Sequence, residues 1–235
     1  MFSFRNDPGA DGVGVAFFDA VAPDGGRLDL SLLWPDAWRA PDWDRAEAEL
    51  GVPVLNVHQV HGDRVVVVDA GTDPRALAAE EADALVTTAR GIALAVRAAD
   101  CLPVLFADTA GGVVGAAHAG RVGLGAGVLP ATVAAMSRLG ASTIAVWIGP
   151  HICGDCYEVP ATLRDEFGAL HPAAVAATSW GTPSLDLGAA ARAQLEALDC
   201  TVVRVDPCTR TTPTLHSFRR DAAASGRQAG VVWLL

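Results

Sequence analysis

Residues 92–120, IALAVRAADCLPVLFADTAGGVVGAAHAG, constrain this chain more than any other stretch. Apolar runs of strand length follow one another, interrupted first by Asp100–Cys101–Leu102–Pro103 and then by the glycine pair Gly111–Gly112. Pro103 interrupts a strand ladder and can hold the Cys101 thiol at a bend, and His118 stands at the end of the last run, among small residues. A thiol and an imidazole therefore emerge at one end of adjacent strands.

The rest of the chain extends this pattern. GVGVAFFDAV and LDLSLLW read as two strands around the turn PDGG. A helix is expected over PDWDRAEAELG, with acidic residues early and Gly51 as its left-handed cap. VPVLNVHQV, RVVVVDA and DALVTT follow as strands, with a short helix near Asp73 to Glu81. A helix is expected from Leu124 to Leu139 with Pro130 in its first turn or at a kink, then the strand TIAVWIGP. Helices at PATLRDEFGAL and SLDLGAAARAQLEALD, the latter capped by Ser184, precede the closing strands TVVRVD and AGVVWLL. Strands in hairpins and strands between helices together predict an α/β (α+β) fold: a layered sandwich with a mixed β-sheet core covered by helices. No repeat, low-complexity tract or linker divides the chain, so residues 1–235 read as a single domain.

Composition removes several function classes. There is no lysine, which excludes a Schiff-base lysine and a P-loop. A formal charge of −10 disfavours nucleic acid and anionic membranes as partners. The first residues lack a signal-peptide pattern and no run reaches the about 18 apolar residues of a membrane helix, so a cytoplasmic protein is expected. Five cysteines without a secretory signal point to metal binding or burial rather than disulfides.

Three clusters could carry chemistry. His61, Cys101 and His118 supply two imidazoles and one thiolate, a set that suits tetrahedral zinc with one position left open; the spacing equally allows a buried cysteine and two hydrogen-bonded histidines. His58 and His61, three apart, face opposite ways on a strand, and His61 beside Gly62 is the more reachable. Asp100 is a candidate catalytic residue beside Cys101, able to orient a histidine or shuttle a proton, or else to bond at a strand end. Cys153 and Cys156 have C-x-x-C spacing, with His151 near, but no second pair closes a four-cysteine site. Arg219, Arg220 and Arg227, in an otherwise acidic chain, could clamp a phosphate, with Ser217 and Thr209 as further donors.

Several motifs in order resemble those of the YfiH-type proteins, once labelled multicopper polyphenol oxidoreductases or laccase-domain proteins and now regarded as purine nucleoside phosphorylases. They are QVHG at Gln59 to Gly62, ADAL at Ala82 to Leu85, RAADCLPVLFAD at Arg97 to Asp108, and GAAHAG at Gly115 to Gly120. IGP at Ile148 to Pro150, CYEV at Cys156 to Val159, Cys208–Thr209, SFRRD at Ser217 to Asp221 and Gly226–Arg227 complete the series. The resemblance implies a layered α/β sandwich with zinc on His61, Cys101 and His118. It also implies phosphorolysis of adenosine, inosine and S-methyl-5′-thioadenosine, with purine nucleosides and phosphate as partners and adenosine deamination as a companion activity. The alternatives are a copper-dependent polyphenol oxidase and a metal-free hydrolase using Cys101 and His118. Where the family continues GAAHAG with Trp-Arg-Gly this chain has Arg121–Val122–Gly123, and it lacks the family's N-terminal Arg-Gly-Gly-Val-Ser segment.

Overall fold

A computed structural model of the protein describes residues 1–9, 12–33, 38–108, 110 and 112–235. Its elements, in order, are β1 (Phe2–Asn6), β2 (Val13–Phe18), α1 (Asp42–Leu50), β3 (Val54–Leu55), β4 (Val65–Val67), α2 (Pro74–Ala78) and β5 (Ala84–Thr87). Then come β6 (Ala93–Ala98), β7 (Leu102–Asp108), β8 (Val113–Ala119), α3 (Arg121–Ala126), α4 (Val128–Arg138), β9 (Ile144–Ile148) and α5 (Ala161–Leu170). The chain ends through β10 (Val175–Ala177), β11 (Pro183–Leu185), α6 (Leu187–Glu196), β12 (Thr201–Arg204), α7 (Phe218–Asp221) and β13 (Gln228–Leu234).

The expected mixed sheet is two sheets, ordered β1-β2-β13-β6-β3 and β12-β9-β7-β8-β5-β4, with β10 and β11 as a separate hairpin. Parallel pairs (β3 with β6, β4 with β5, β12 with β9) stand among antiparallel ones. The two sheets pack face to face: Val15, Phe17, Leu94, Val96 and Val232 meet Leu105, Ala107, Val114 and Ala116. Alternate residues point outward and are covered as well. Val231 and Trp233 pack under α1 with Trp43, whereas Val104 and Phe106 meet the α4, α5 and α6 side through Met136, Phe167 and Leu195. Burial on both faces explains why these strands read as unbroken apolar runs rather than as alternation.

Local differences from the sequence reading have identifiable causes. Gly127, at φ 97°, breaks the helix expected over 124–139 into α3 and α4, with Pro130 in the first turn of α4. Ser184 is not a cap: it is buried in β11, and Asp186 caps α6 by accepting the Ala189 N–H at 2.8 Å. Asp186→Ala should therefore lower stability by about 0.5–2 kcal/mol in urea denaturation while Ser184→Ala leaves α6 capped. LDLSLLW forms no strand up to Leu33, because Asp29 takes the Ser31 and Arg227 N–H groups on its side chain; Trp34 lies outside the described residues, as does Gly111 of the glycine turn. Strand β1 was not foreseen. Among the described residues no helix is long and apolar enough to cross a membrane.

Candidate metal centre in an arginine-lined cleft

The site forms where the chain passes from one sheet to the other. β6 ends at Ala98 and β7 begins at Leu102, and between them Asp100 adopts φ 89°, a left-handed conformation that aspartate tolerates better than most residues. His118 is the penultimate residue of β8, paired with Pro103 of β7. His61 arrives from a turn in which its own backbone is left-handed, at φ 63°. The expected strand stops at Leu55, so period-2 alternation does not reach the histidines, and His58 only bridges to Glu81.

These elements bring His61, Cys101 and His118 together: their donor atoms lie within 4.8 Å of one another, with Cys101 Sγ 3.7 Å from His61 Nε2. The imidazole rings of His61 and His118 meet edge to face at 4.7 Å between centroids. Gly120 closes the group from below. A Cβ there would lie 2.6 Å from His61 Cδ2 and 3.0 Å from Cys101 Sγ, so no side chain fits under the trio.

Asp83, within the ADAL motif, organises the histidines. It is completely buried, and its carboxylate accepts the backbone N–H groups of Val60 (3.1 Å), His61 (2.9 Å) and Gly62 (2.6 Å). It also bonds His118 Nδ1 at 2.8 Å. Burial acts to raise the Asp83 pKa, but these hydrogen bonds outweigh it and hold the group below the ordinary carboxylate value. An ionised acceptor assigns the shared proton to His118 Nδ1 and leaves Nε2 free as a ligand, the arrangement in which a carboxylate orients a metal-binding histidine. An aspartate entering an otherwise apolar strand was the signal in the sequence.

Asp100 does something else. Its carboxylate accepts the Thr209 hydroxyl (2.6 Å) and the Arg219 backbone N–H (2.6 Å) rather than a histidine N–H. Burial, then the Asp100 charge, push the Cys101 thiol up to about 12. Without a cation this sulfur stays protonated, whereas a coordinated thiol is deprotonated outright.

A cleft of about 700 Å³ opens over the trio, walled by Arg97, Arg121, Tyr157, Arg219 and Arg227. The sequence marks Arg121 only as a departure from the family's pattern and gives Arg97 no role. Burial and the neighbouring Arg227 charge lower Arg97 to about 10, and its buried Nε has no hydrogen-bond partner. Arg219 donates to the Glu158 carbonyl at 2.9 Å and lies over Tyr157. Arg220 is not brought to the cleft: its guanidinium donates to the carbonyls of Thr209 (2.8 Å), Thr212 (3.2 Å) and Leu215 (2.6 Å) and staples that loop. Ser217 and Thr209 are likewise used internally, Ser217 as the cap of α7 and Thr209 on Asp100.

A two-sheet α/β sandwich with a two-histidine, one-cysteine centre at the sheet ends, under a cationic cleft, defines the class. Residues 40–235 match the family described as multi-copper polyphenol oxidoreductase laccase, and the chain belongs to that family. It is 51% identical over 195 residues to a purine nucleoside phosphorylase of Streptomyces coelicolor, covering 80% of this chain and 79% of the relative. The crystal structure of a Neisseria meningitidis protein, NMB0706, aligns with TM-score 0.79 and 32% identity over 99% of this chain and 98% of that one. The Bacillus licheniformis hypothetical protein YfiH shares the fold, with TM-score 0.81 at 24% identity over 95% of this chain and 93% of that one.

Proposed function

We propose that this chain is a zinc-dependent purine nucleoside phosphorylase of the cytoplasm. It cleaves adenosine, inosine and S-methyl-5′-thioadenosine with phosphate to the free base and the (methylthio)ribose 1-phosphate, with adenosine deamination as a side activity. The observation that carries this reading is the pairing of the His61–Cys101–His118 trio with a wall of guanidinium groups, one of which, Arg97, has a buried, unpartnered Nε. The 51% identity to a protein named purine nucleoside phosphorylase supports it. We read residues 1–235 as one such domain.

The donor set fits zinc: two imidazole nitrogens and one sulfur in reach of one another, a carboxylate orienting one histidine, and a glycine where any Cβ would intrude. Zinc held there supplies a Lewis acid. The remaining chemistry belongs to side chains. Arg97, Arg219 and Arg227 hold phosphate by charge-assisted hydrogen bonds and direct an oxygen at the ribose C1′, so that a C–O bond forms as the C1′–N9 bond breaks. The electron pair leaves with the purine. Tyr157, whose pKa burial raises, keeps its phenolic proton on the same wall and can donate to the departing base. Asp100 positions Arg219 through its backbone rather than acting on a histidine.

The metal-free hydrolase is disfavoured by the Cys101 thiol at about 12, which leaves no thiolate to attack. A multicopper centre is disfavoured because the other four of the six histidines do not join the trio among the described residues. The test is to measure metal content without added metal and to incubate the protein with inosine, with and without phosphate. Hypoxanthine release that requires phosphate and tracks zinc is expected; release indifferent to phosphate sinks the reading. Arg227→Ala should raise KM for phosphate at least about tenfold, the effect of losing one charge-assisted contact of about 1.5 kcal/mol or more. Arg220→Ala should instead lower Tm by freeing the loop carbonyls.

A further inference from the structure

The cysteines left over from the cleft make a second donor cluster. The sulfurs of Cys153, Cys156 and Cys208 lie within 4.8 Å of one another. Cys153 and Cys156 come from one tight turn, closed by the Cys156 and Tyr157 N–H groups on the Cys153 carbonyl, both at 3.0 Å. Cys208 arrives from 55 residues away, where its Sγ accepts the Cys153 N–H at 3.4 Å. His151 does not take part. It spends Nδ1 on the Gly149 carbonyl (2.9 Å), and its Nε2 edge packs on Gly188.

We propose that Cys153, Cys156 and Cys208 are a second metal site, a three-sulfur seat for one soft d10 cation, Cu(I), separate from the cleft trio. Thiolates select soft cations. Structural zinc takes four protein ligands, and among the described residues no histidine or carboxylate completes this group. Cys156 is buried, but Cys153 and Cys208 are partly exposed, so the seat can be filled from solvent. Arg210, on the Cys156 carbonyl at 3.3 Å, brings positive charge beside the anionic product. On loading, three S–H bonds break, three Cu–S bonds form and three protons go to solvent. Copper enters and stays as Cu(I), so no oxidant is needed. The filled site would join the 153–157 turn to the loop whose Thr209 grips Asp100, and so cross-link one wall of the cleft.

The experiment is an anaerobic Cu(I) titration against a bathocuproine-type chelator, in a Cys101→Ala background that removes the cleft thiol. One equivalent should bind, and adding Cys208→Ser should abolish it. In parallel, the same Cys101→Ala protein is alkylated with iodoacetamide, with and without one equivalent of Cu(I), and its peptides are weighed. Joint protection of Cys153 and Cys208 is expected, and this readout stands even if Cys208→Ser fails to fold. Retention of the equivalent by a folded Cys208→Ser variant, loss of it with Cys101→Ala alone, or unchanged alkylation would each overturn the proposal. None of these outcomes depends on phosphorolysis.

Discussion

Asp83→Asn is expected to cost about 10- to 100-fold in zinc affinity, read by metal content after dialysis against graded chelator. The carboxylate offers two oxygens to four donors: the N–H groups of residues 60, 61 and 62 and the Nδ1–H of His118. Asparagine replaces one of those oxygens with a donor, so at least one buried N–H loses its partner, at about 1–3 kcal/mol. It also removes the charge that holds His118 with Nε2 free. The variant should therefore lose both metal and stability, whereas a residue that merely filled space would affect stability alone. The acid limb carries the same signature. Because the folded Asp83 pKa lies below its ordinary value, the stability it contributes is complete above about pH 4 and drains away as pH falls through the folded pKa. Urea denaturation of chelator-treated protein should show that acid loss, and Asp83→Asn should flatten it.

Gly120→Ala is the second large effect expected. The backbone there is at φ −73°, ordinary for alanine, so folding should proceed. The added methyl group would stand 2.6 Å from His61 Cδ2, closer than real Cβ contacts, and a tight 3.0 Å from Cys101 Sγ. One ligand must move, and a displacement of about 1 Å at a reacting centre can cost on the order of 100-fold. Zinc occupancy and phosphate-dependent hypoxanthine release should fall together while Tm changes little. Unchanged zinc occupancy in Gly120→Ala would mean that His61, Cys101 and His118 do not share an ion.

Most of the order of strands and helices was legible because apolar runs and turn residues record it; the short strands β1, β10 and β11 were not. Residues 92–120 gave the bend at Cys101 and placed His118 near a strand end, but Pro103 does not interrupt the ladder: it lies inside β7, paired with His118, and the bend comes from Asp100 at φ 89°. The division into two sheets was not legible, since a strand buried on both faces looks the same whichever sheet it joins. The trio could be assembled from residue types. Its support was legible only in part: Asp83 stands out as an aspartate at the head of an apolar strand, but the backbone amides it holds leave no trace in the sequence of their loop. The arginines show the opposite limit. Arg220 matches a phosphate clamp in composition but is consumed by carbonyls, while Arg97, inside β6 and paired with Ala229 of β13, lines the cleft together with Arg227.

Asp83 also sets how the centre comes apart. Because one buried carboxylate grips the turn carrying His61 and the ring of His118, the two imidazoles form a single jaw fixed to the six-stranded sheet. Cys101 is the other jaw, on the segment that crosses between the sheets. A cation held by both is then a latch across the open end of the sandwich. Removing it should release Cys101 while the histidine jaw keeps its shape, so the apo protein should take up a metal ion again without refolding.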